Sequence, residues 1–195
     1  MRSVVLIEYL SLDGVIQAPG HAEEDRDGGF AHGGWAGPFM HEHRRYMTEA
    51  FAGAGALLLG RKTYEIFASY WPTVTSPDDE IARVLNAVPK YVASTTLAHG
   101  EWRETTVIGD EVPSRVRELK QQRDKDIFVV GSSVLARTLL EHDLVDTCQL
   151  WLHPVVLGTG KRLFGSDAGV SGFKLADSRT TAGGLVLLTY ERAAA

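Results

Sequence analysis

Three short aliphatic runs, each closed by a turn of small or hydroxylated residues and followed by a helical segment, constrain this chain more than any other feature. Val4 to Leu10 is apolar on both alternating faces apart from Glu8, the pattern of a strand covered on both sides of a sheet. Ser11-Leu12-Asp13-Gly14 then turns the chain. A helical segment at Met40 to Ala54 precedes the run Ala56 to Leu59, which ends at Gly60 and leads into a helix over Lys62 to Ser69. Ile127 to Val130 runs into Gly131-Ser132-Ser133 and a helix from Val134 to Glu141. Lys90 to Ser94 and Thr105 to Ile108 add strand signals, Ser114 to Gln122 reads as a charged helix capped by Ser114, and Cys148 to Val156 is the longest strand. Phe173 to Ser178 and Leu185 to Arg192 flank a turn at Thr180 to Gly184, a closing hairpin. The alternation predicts an α/β fold: a mixed, mainly parallel sheet flanked by helices, with a C-terminal antiparallel hairpin. No repeat or linker divides residues 1–195, so one domain is expected.

Composition narrows the function classes. A formal charge of -5 argues against a protein built to grip nucleic acid, which needs a concentrated basic face. Cys148 is the lone cysteine, so neither an intramolecular disulfide nor a cysteine metal cluster can form. The first ten residues read as a strand, and nowhere does an apolar run reach the ~18 residues of a membrane span. A cytoplasmic protein with no membrane partner is the expectation.

In an open α/β sheet, ligands gather beyond the carboxyl ends of strands, where helix N-termini offer unpaired N–H groups and a positive dipole end. Three segments have that character. Gly60-Arg61-Lys62-Thr63 combines a glycine, a hydroxyl and two cations at the start of a helix; taken alone it is equally an ordinary turn with solvated bases. Ser94-Thr95-Thr96 offers three hydroxyls, and alone reads as turn chemistry. Gly131-Ser132-Ser133 is a small-residue turn able to cradle a pyrophosphate, although it is not the G-x-G-x-x-G fingerprint of a Rossmann domain. Together they would line one edge with phosphate-binding groups, Arg61 and Lys62 favouring an extra 2′-phosphate. Between Pro19 and Pro38 the chain turns to Gly, His, Asp and Glu, a long loop (19–39) read as a mobile lid.

Four motifs extend this reading. Ser-Leu-Asp-Gly at 11–14, Leu-Leu-Leu-Gly-Arg-Lys-Thr-Tyr-Glu at 57–65, Val-Val-Gly-Ser-Ser at 129–133 and the stretch from Leu144 to Phe164 resemble the dihydrofolate reductase superfamily. Within it they are most similar to the reductase domain of bifunctional riboflavin-biosynthesis deaminase-reductases. The resemblance implies NADPH as hydride donor and a small heterocyclic substrate. It implies Gly60, Arg61, Lys62, Thr63, Ser94, Thr95 and Thr96 near the adenosine 2′-phosphate, and Val130, Gly131, Ser132, Ser133, Val134 and Leu135 near the pyrophosphate. Ser11, Gly14 and Ile16 would border the nicotinamide, and Trp35 would lie near cofactor and substrate. Two departures stand out: a double glycine common at the pyrophosphate turn is Gly131-Ser132 here, and the basic residue that reads a phosphoribosyl group has only Arg44 and Arg45 in its region.

Hydride reduction also needs a proton, so carboxylates near the nicotinamide edge are candidates. Asp13 is the first, with an Asx-turn role equally open. Glu8, buried in an apolar strand, would have a raised pKa and could act as an acid; an open strand face is the other reading. Glu42, on the helix after the loop, is a third. His21, His32, His41 and His43 invite a metal, but His41 and His43 are two apart and point to different sides of a helix, so solvated loop histidines are expected. A catalytically silent nucleotide-binding module and a metal-dependent hydrolase remain the competing readings. Leu150, Trp151, Leu152, Val155, Val156 and Leu157 are more apolar than one edge-strand face should leave exposed, and the related reductases are dimers, so a homodimer through this strand and the hairpin is expected.

Overall fold

A computed structural model describes residues 1–122, 124–165 and 171–193. Its strands are β1 (Val4–Ser11), β2 (Ala54–Gly60), β3 (Lys90–Ala93), β4 (Thr105–Ile108), β5 (Asp126–Val130), β6 (Thr147–His153), β7 (Phe173–Thr180) and β8 (Val186–Arg192). The helices are α1 (Met40–Phe51), α2 (Arg61–Tyr70), α3 (Glu80–Ala87), α4 (Val112–Gln121) and α5 (Ser133–Glu141). One eight-stranded sheet runs in the order β4-β3-β2-β5-β1-β6-β8-β7. Pairing is parallel from β4 to β6, and β8 and β7 add antiparallel. The expected α/β sheet with its closing hairpin is therefore the observed architecture.

Strand alternation splits the core in two. Val5 and Ile7 join Leu57, Leu59 and Phe128 under Phe51, Tyr64, Ile81 and Leu85 of α1, α2 and α3. Val4, Leu6 and Leu10 join Leu58, Ile127 and Val129 under Val116, Leu119, Leu135 and Leu139 of α4 and α5. Helices on both faces are what near-continuous apolar strands require.

Several boundaries differ from the sequence expectation. Helix α4 starts at Val112 rather than behind a Ser114 cap, because Pro113 presets the first turn after Glu111, which adopts a left-handed conformation (φ 60°). Strand β6 stops at His153, one residue before Pro154, which cannot donate to a ladder. Helix α3 was not expected; the Asp79 carboxylate caps it by accepting from Ala82 N at 3.0 Å, and Ile81, Ala82 and Leu85 form its buried stripe.

The position of β6 corrects the proposed dimer contact. It lies between β1 and β8 and is not an edge. Trp151 is 2% exposed, on the α1 face, against Tyr9 (ring centroids 5.2 Å) and His43 (5.5 Å). Trp151→Ala should therefore cost about 3–5 kcal/mol of stability, read as a lower urea midpoint with unchanged slope, instead of merely dissociating subunits.

Candidate active site

β5 sits between β1 and β2, so the chain leaves β1 toward α1 on one face and leaves β5 toward α5 on the other. Neighbouring strands whose connections diverge to opposite faces open a crevice at their carboxyl ends. A cavity of about 1240 Å³ occupies that place. All three phosphate-type turns line it: Gly60 to Thr63, Ser94 to Thr96, and Val130 to Leu135.

Each turn has a physical reason for its shape. Gly131 (φ 53°) and Ser132 (φ 63°) are successive left-handed residues, which brings the Ser132 hydroxyl back over the strand ends. Ser132 Oγ donates to Val130 O at 3.0 Å and accepts from Gly60 N at 2.9 Å, tying the β5 and β2 turns together. A second glycine would lack this tie. Helix α5 has no side-chain cap, and Ser133, Val134 and Leu135 of its first turn line the cavity, an anion-binding arrangement. At the third turn, Ser94 Oγ accepts from Leu97 N at 2.9 Å, while Thr95 and Thr96 stay exposed.

One part of the remaining wall is apolar. Met40 and Met47 of α1, Ile66 and Phe67 of α2, Trp71, and Tyr9 of β1 face the same space. Every cation on the wall has a carboxylate partner among the described residues. Arg44 donates to Asp79 at 2.7 Å and Arg61 to Glu65 at 2.9 Å. Lys62 and Lys161 share Asp25 and Asp27 of the 19–39 loop at 2.6–3.2 Å. These lysines hold the Asp27 carboxyl down to about 2.

The sequence pattern of the RibD C-terminal domain matches residues 2–187. The chain belongs to this family. Its fold is thus of the dihydrofolate-reductase-like superfamily. Among relatives, the Bacillus subtilis protein YyaP is 33% identical over 136 residues, which cover 69% of this chain and 72% of that one. A pyrimidine reductase-like protein of Corynebacterium diphtheriae superposes with a TM-score of 0.58 at 14% identity, over 100% of this chain and 93% of its own. A diaminohydroxyphosphoribosylaminopyrimidine deaminase/5-amino-6-(5-phosphoribosylamino)uracil reductase of Thermotoga maritima gives 0.65 at 15%, covering 98% of this chain and 57% of that protein.

In this member of the family the three candidate proton donors have separate fates. Asp13 is not on the cavity wall. Its carboxylate accepts from Ser11 Oγ at 2.7 Å, Leu157 N at 3.1 Å and Gly158 N at 2.8 Å, which holds its pKa far below the usual carboxylate range, the Ser11 bond contributing most. It staples the β1 turn to the segment after β6. Glu42 likewise accepts from Gly183 N at 2.8 Å and from the Thr181 hydroxyl, pinning α1 to the β7–β8 turn. Glu8 alone of the three lines the cavity; burial pushes its carboxyl up to about 8. Of the expected nicotinamide border, Ile16 faces the cavity, whereas Ser11 and Gly14 build the turn behind it.

The 19–39 loop is anchored through three buried residues, while most of it stays exposed. Phe30, Trp35 and Ala36 are buried with Val15 and Ala18, and Trp35 Nε1 donates to Gln17 O at 2.8 Å. Trp35 stands edge-on to His153 (5.0 Å) and does not line the cavity. His153, missed in the sequence, is fully buried and paired with His43 through their Nε2 atoms at 2.8 Å. His153 Nδ1 lies 2.9 Å from Trp151 O and 3.1 Å from Leu10 O, so it carries the proton and His43 donates to His153 Nε2. His43 is thus a core residue, while His21 and His41 sit at the cavity rim and His32 is exposed.

Burial, aided by His153, lowers the His43 pKa to about 4. The unfolded chain takes up this proton near 6.5 and the folded one near 4, so its stabilising effect is complete above about pH 6.5 and vanishes as pH falls to 4. Glu8 acts oppositely, since its raised pKa costs stability as pH rises from 4.5 to 8. The difference between wild type and His43→Phe reports on the coupled His43–His153 pair: denaturant titrations should show the wild type losing more stability than the variant between pH 6.5 and 4.

Proposed function

We propose that this protein is an NADPH-dependent reductase of a small planar heterocycle, pterin-like or aminopyrimidine-like, working in the cytoplasm. The observation that carries this reading is the convergence of three helix-start or hydroxyl-rich turns on one cavity whose opposite wall is apolar and aromatic. The uncapped α5 N-terminus suits a pyrophosphate, and Arg61, Lys62 and the Ser94 to Thr96 hydroxyls suit a 2′-phosphate. The Arg61–Glu65 pair is nearly half exposed, so exchanging that carboxylate for a phosphate costs little. NADPH would supply hydride to a ring resting against Tyr9, Met47 and Phe67.

The ion pairing of Arg44 bears on the substrate. Asp79 already engages this guanidinium through Oδ2 and is only 9% exposed, so drawing Arg44 onto a phosphate would leave a nearly buried carboxylate without its cation. Arg45 lies off the wall, near Glu49 at 3.6 Å. The reading therefore favours a substrate without a phosphoribosyl group.

Calorimetry should give tighter binding of NADPH than NADH, and Arg61→Ala should shrink that preference by roughly tenfold; an unchanged preference removes Arg61 from the site. Oxidation of NADPH should proceed with a pterin, dihydrofolate or an unphosphorylated aminopyrimidine. Turnover confined to the phosphoribosyl compound would refute the substrate preference, and tight NADPH binding without any turnover would favour a silent binding module.

The expected homodimer, moved off Trp151, finds support on the α5 face, where Leu150, Leu152, Val186 and Leu188 of β6 and β8 are only half buried. Light scattering at micromolar concentration should give twice 21.3 kDa, falling to one chain in Leu188→Glu.

A further inference from the structure

We propose that Glu8 is a binding residue for the cofactor, a neutral carboxylic acid that pairs with the carboxamide of the nicotinamide ring. This rests on the nicotinamide-dinucleotide reading above and adds to it a specific group on the protein.

Glu8 is the acid that interrupts an otherwise apolar strand at the centre of the sheet. It is 2% exposed, it lines the cavity, and its Oε1 is shielded from solvent without a hydrogen-bond partner among the described residues. A leucine here would meet every demand of the strand. The acid instead must be neutralised on folding and leaves a buried acceptor unsatisfied, two costs that a ligand can offset. Such a ligand must bring an N–H for Oε1 and an acceptor for the acid proton. An amide does both at once through two adjacent bonds, whereas a phosphate or carboxylate offers no donor.

Position selects which amide. The last β1–β5 pair is Ile7 with Val130, so Glu8 comes level with Gly131, where the pyrophosphate turn begins. By strand alternation its side chain leaves the sheet on the Leu6 and Leu10 side, the face covered by α5. Ile16, Val134 and Leu135 line the cavity on that side, and the aromatic substrate wall from α1 and α2 lies on the other. Were the pyrophosphate of a dinucleotide held at the α5 start, Glu8 would be the buried polar group of β1 available to its nicotinamide end. Cys148 of β6 lies on the same face, and burial pushes its thiol up to about 12, so it stays uncharged beside Glu8.

Binding to the intact protein tests this with three probes: NADPH, the reduced analogue in which an acetyl group replaces the carboxamide, and 2′-phospho-ADP-ribose, which has no nicotinamide. Glu8→Leu should weaken NADPH about tenfold, leave 2′-phospho-ADP-ribose unchanged, and weaken the acetyl analogue, which keeps only the acceptor, by less than NADPH. Glu8→Gln keeps a neutral donor and acceptor and should bind NADPH within about threefold of wild type. Thermal melting confirms that both variants are folded, and if Glu8→Leu is not, Glu8→Ala takes its place. Equal NADPH affinity in wild type and Glu8→Leu overturns the assignment. So does a loss of turnover in Glu8→Gln when NADPH affinity is unchanged in Glu8→Leu as well, which makes Glu8 a proton donor or a substrate contact. If wild type binds neither NADPH nor 2′-phospho-ADP-ribose, it is the cofactor reading that fails, a result distinct from failure at Glu8.

Discussion

The insertion of β5 between β1 and β2 is the constraint on which the rest of the structure depends. These strands are far apart in sequence, yet Val4 to Ile7 pair with Ile127 to Val130, and Ala56 to Leu58 pair with the same strand from its other side. Once β5 lies there, α1 and α5 must depart to opposite faces, and the carboxyl ends of β1, β2 and β5 border an open crevice. The turns at Gly60 and Gly131 become neighbours for the same reason. Ser132 exploits that proximity by spanning the two, a bond between residues 72 apart in sequence that fixes the spacing of the two helix starts.

Charge at the crevice is balanced locally. The loop acids Asp25 and Asp27 neutralise Lys62 and Lys161, while Arg44 and Arg61 have partners of their own. The α5 side of the crevice nonetheless keeps an uncapped helix start, whose backbone dipoles attract anions without any side-chain charge. The α1 and α2 side has apolar groups and committed cations. This asymmetry, with anion-ready backbone on one side and an apolar slot on the other, is the physical basis of the proposed reading. Below it, Trp35, His43, Trp151 and His153 form a dry aromatic cluster that anchors the loop to α1 and β6.

What was legible in the sequence had a local cause. Strand–turn–helix steps are written in runs of neighbouring residues, so Val4 to Leu10, Ala56 to Gly60 and Ile127 to Ser133 could be placed without any contact being known. The turns at Gly60 and Gly131 were legible as small-residue helix starts, whereas Ser94 to Thr96, which leads toward β4 and not into a helix, was legible only by its hydroxyls beside the other two. Helix α3 had a signal too, Asp79 followed by Ile81, Ala82 and Leu85, but two turns of helix give periodicity little length in which to emerge.

Sequence by itself determined the fold class and the family likeness, because alternating elements and the motifs at 11–14, 57–65, 129–133 and 144–164 are properties of contiguous stretches. Only the tertiary structure decided which acid is available for chemistry. Asp13 and Glu42 found backbone donors in Leu157, Gly158 and Gly183, more than 130 residues away, whereas the Oε1 of Glu8 has none among the described residues. It also decided that Trp151 is core and that His43 meets His153 across 110 residues. The strength of a carboxylate or an imidazole is set by desolvation and by the partners that long-range packing delivers, and no local pattern records those.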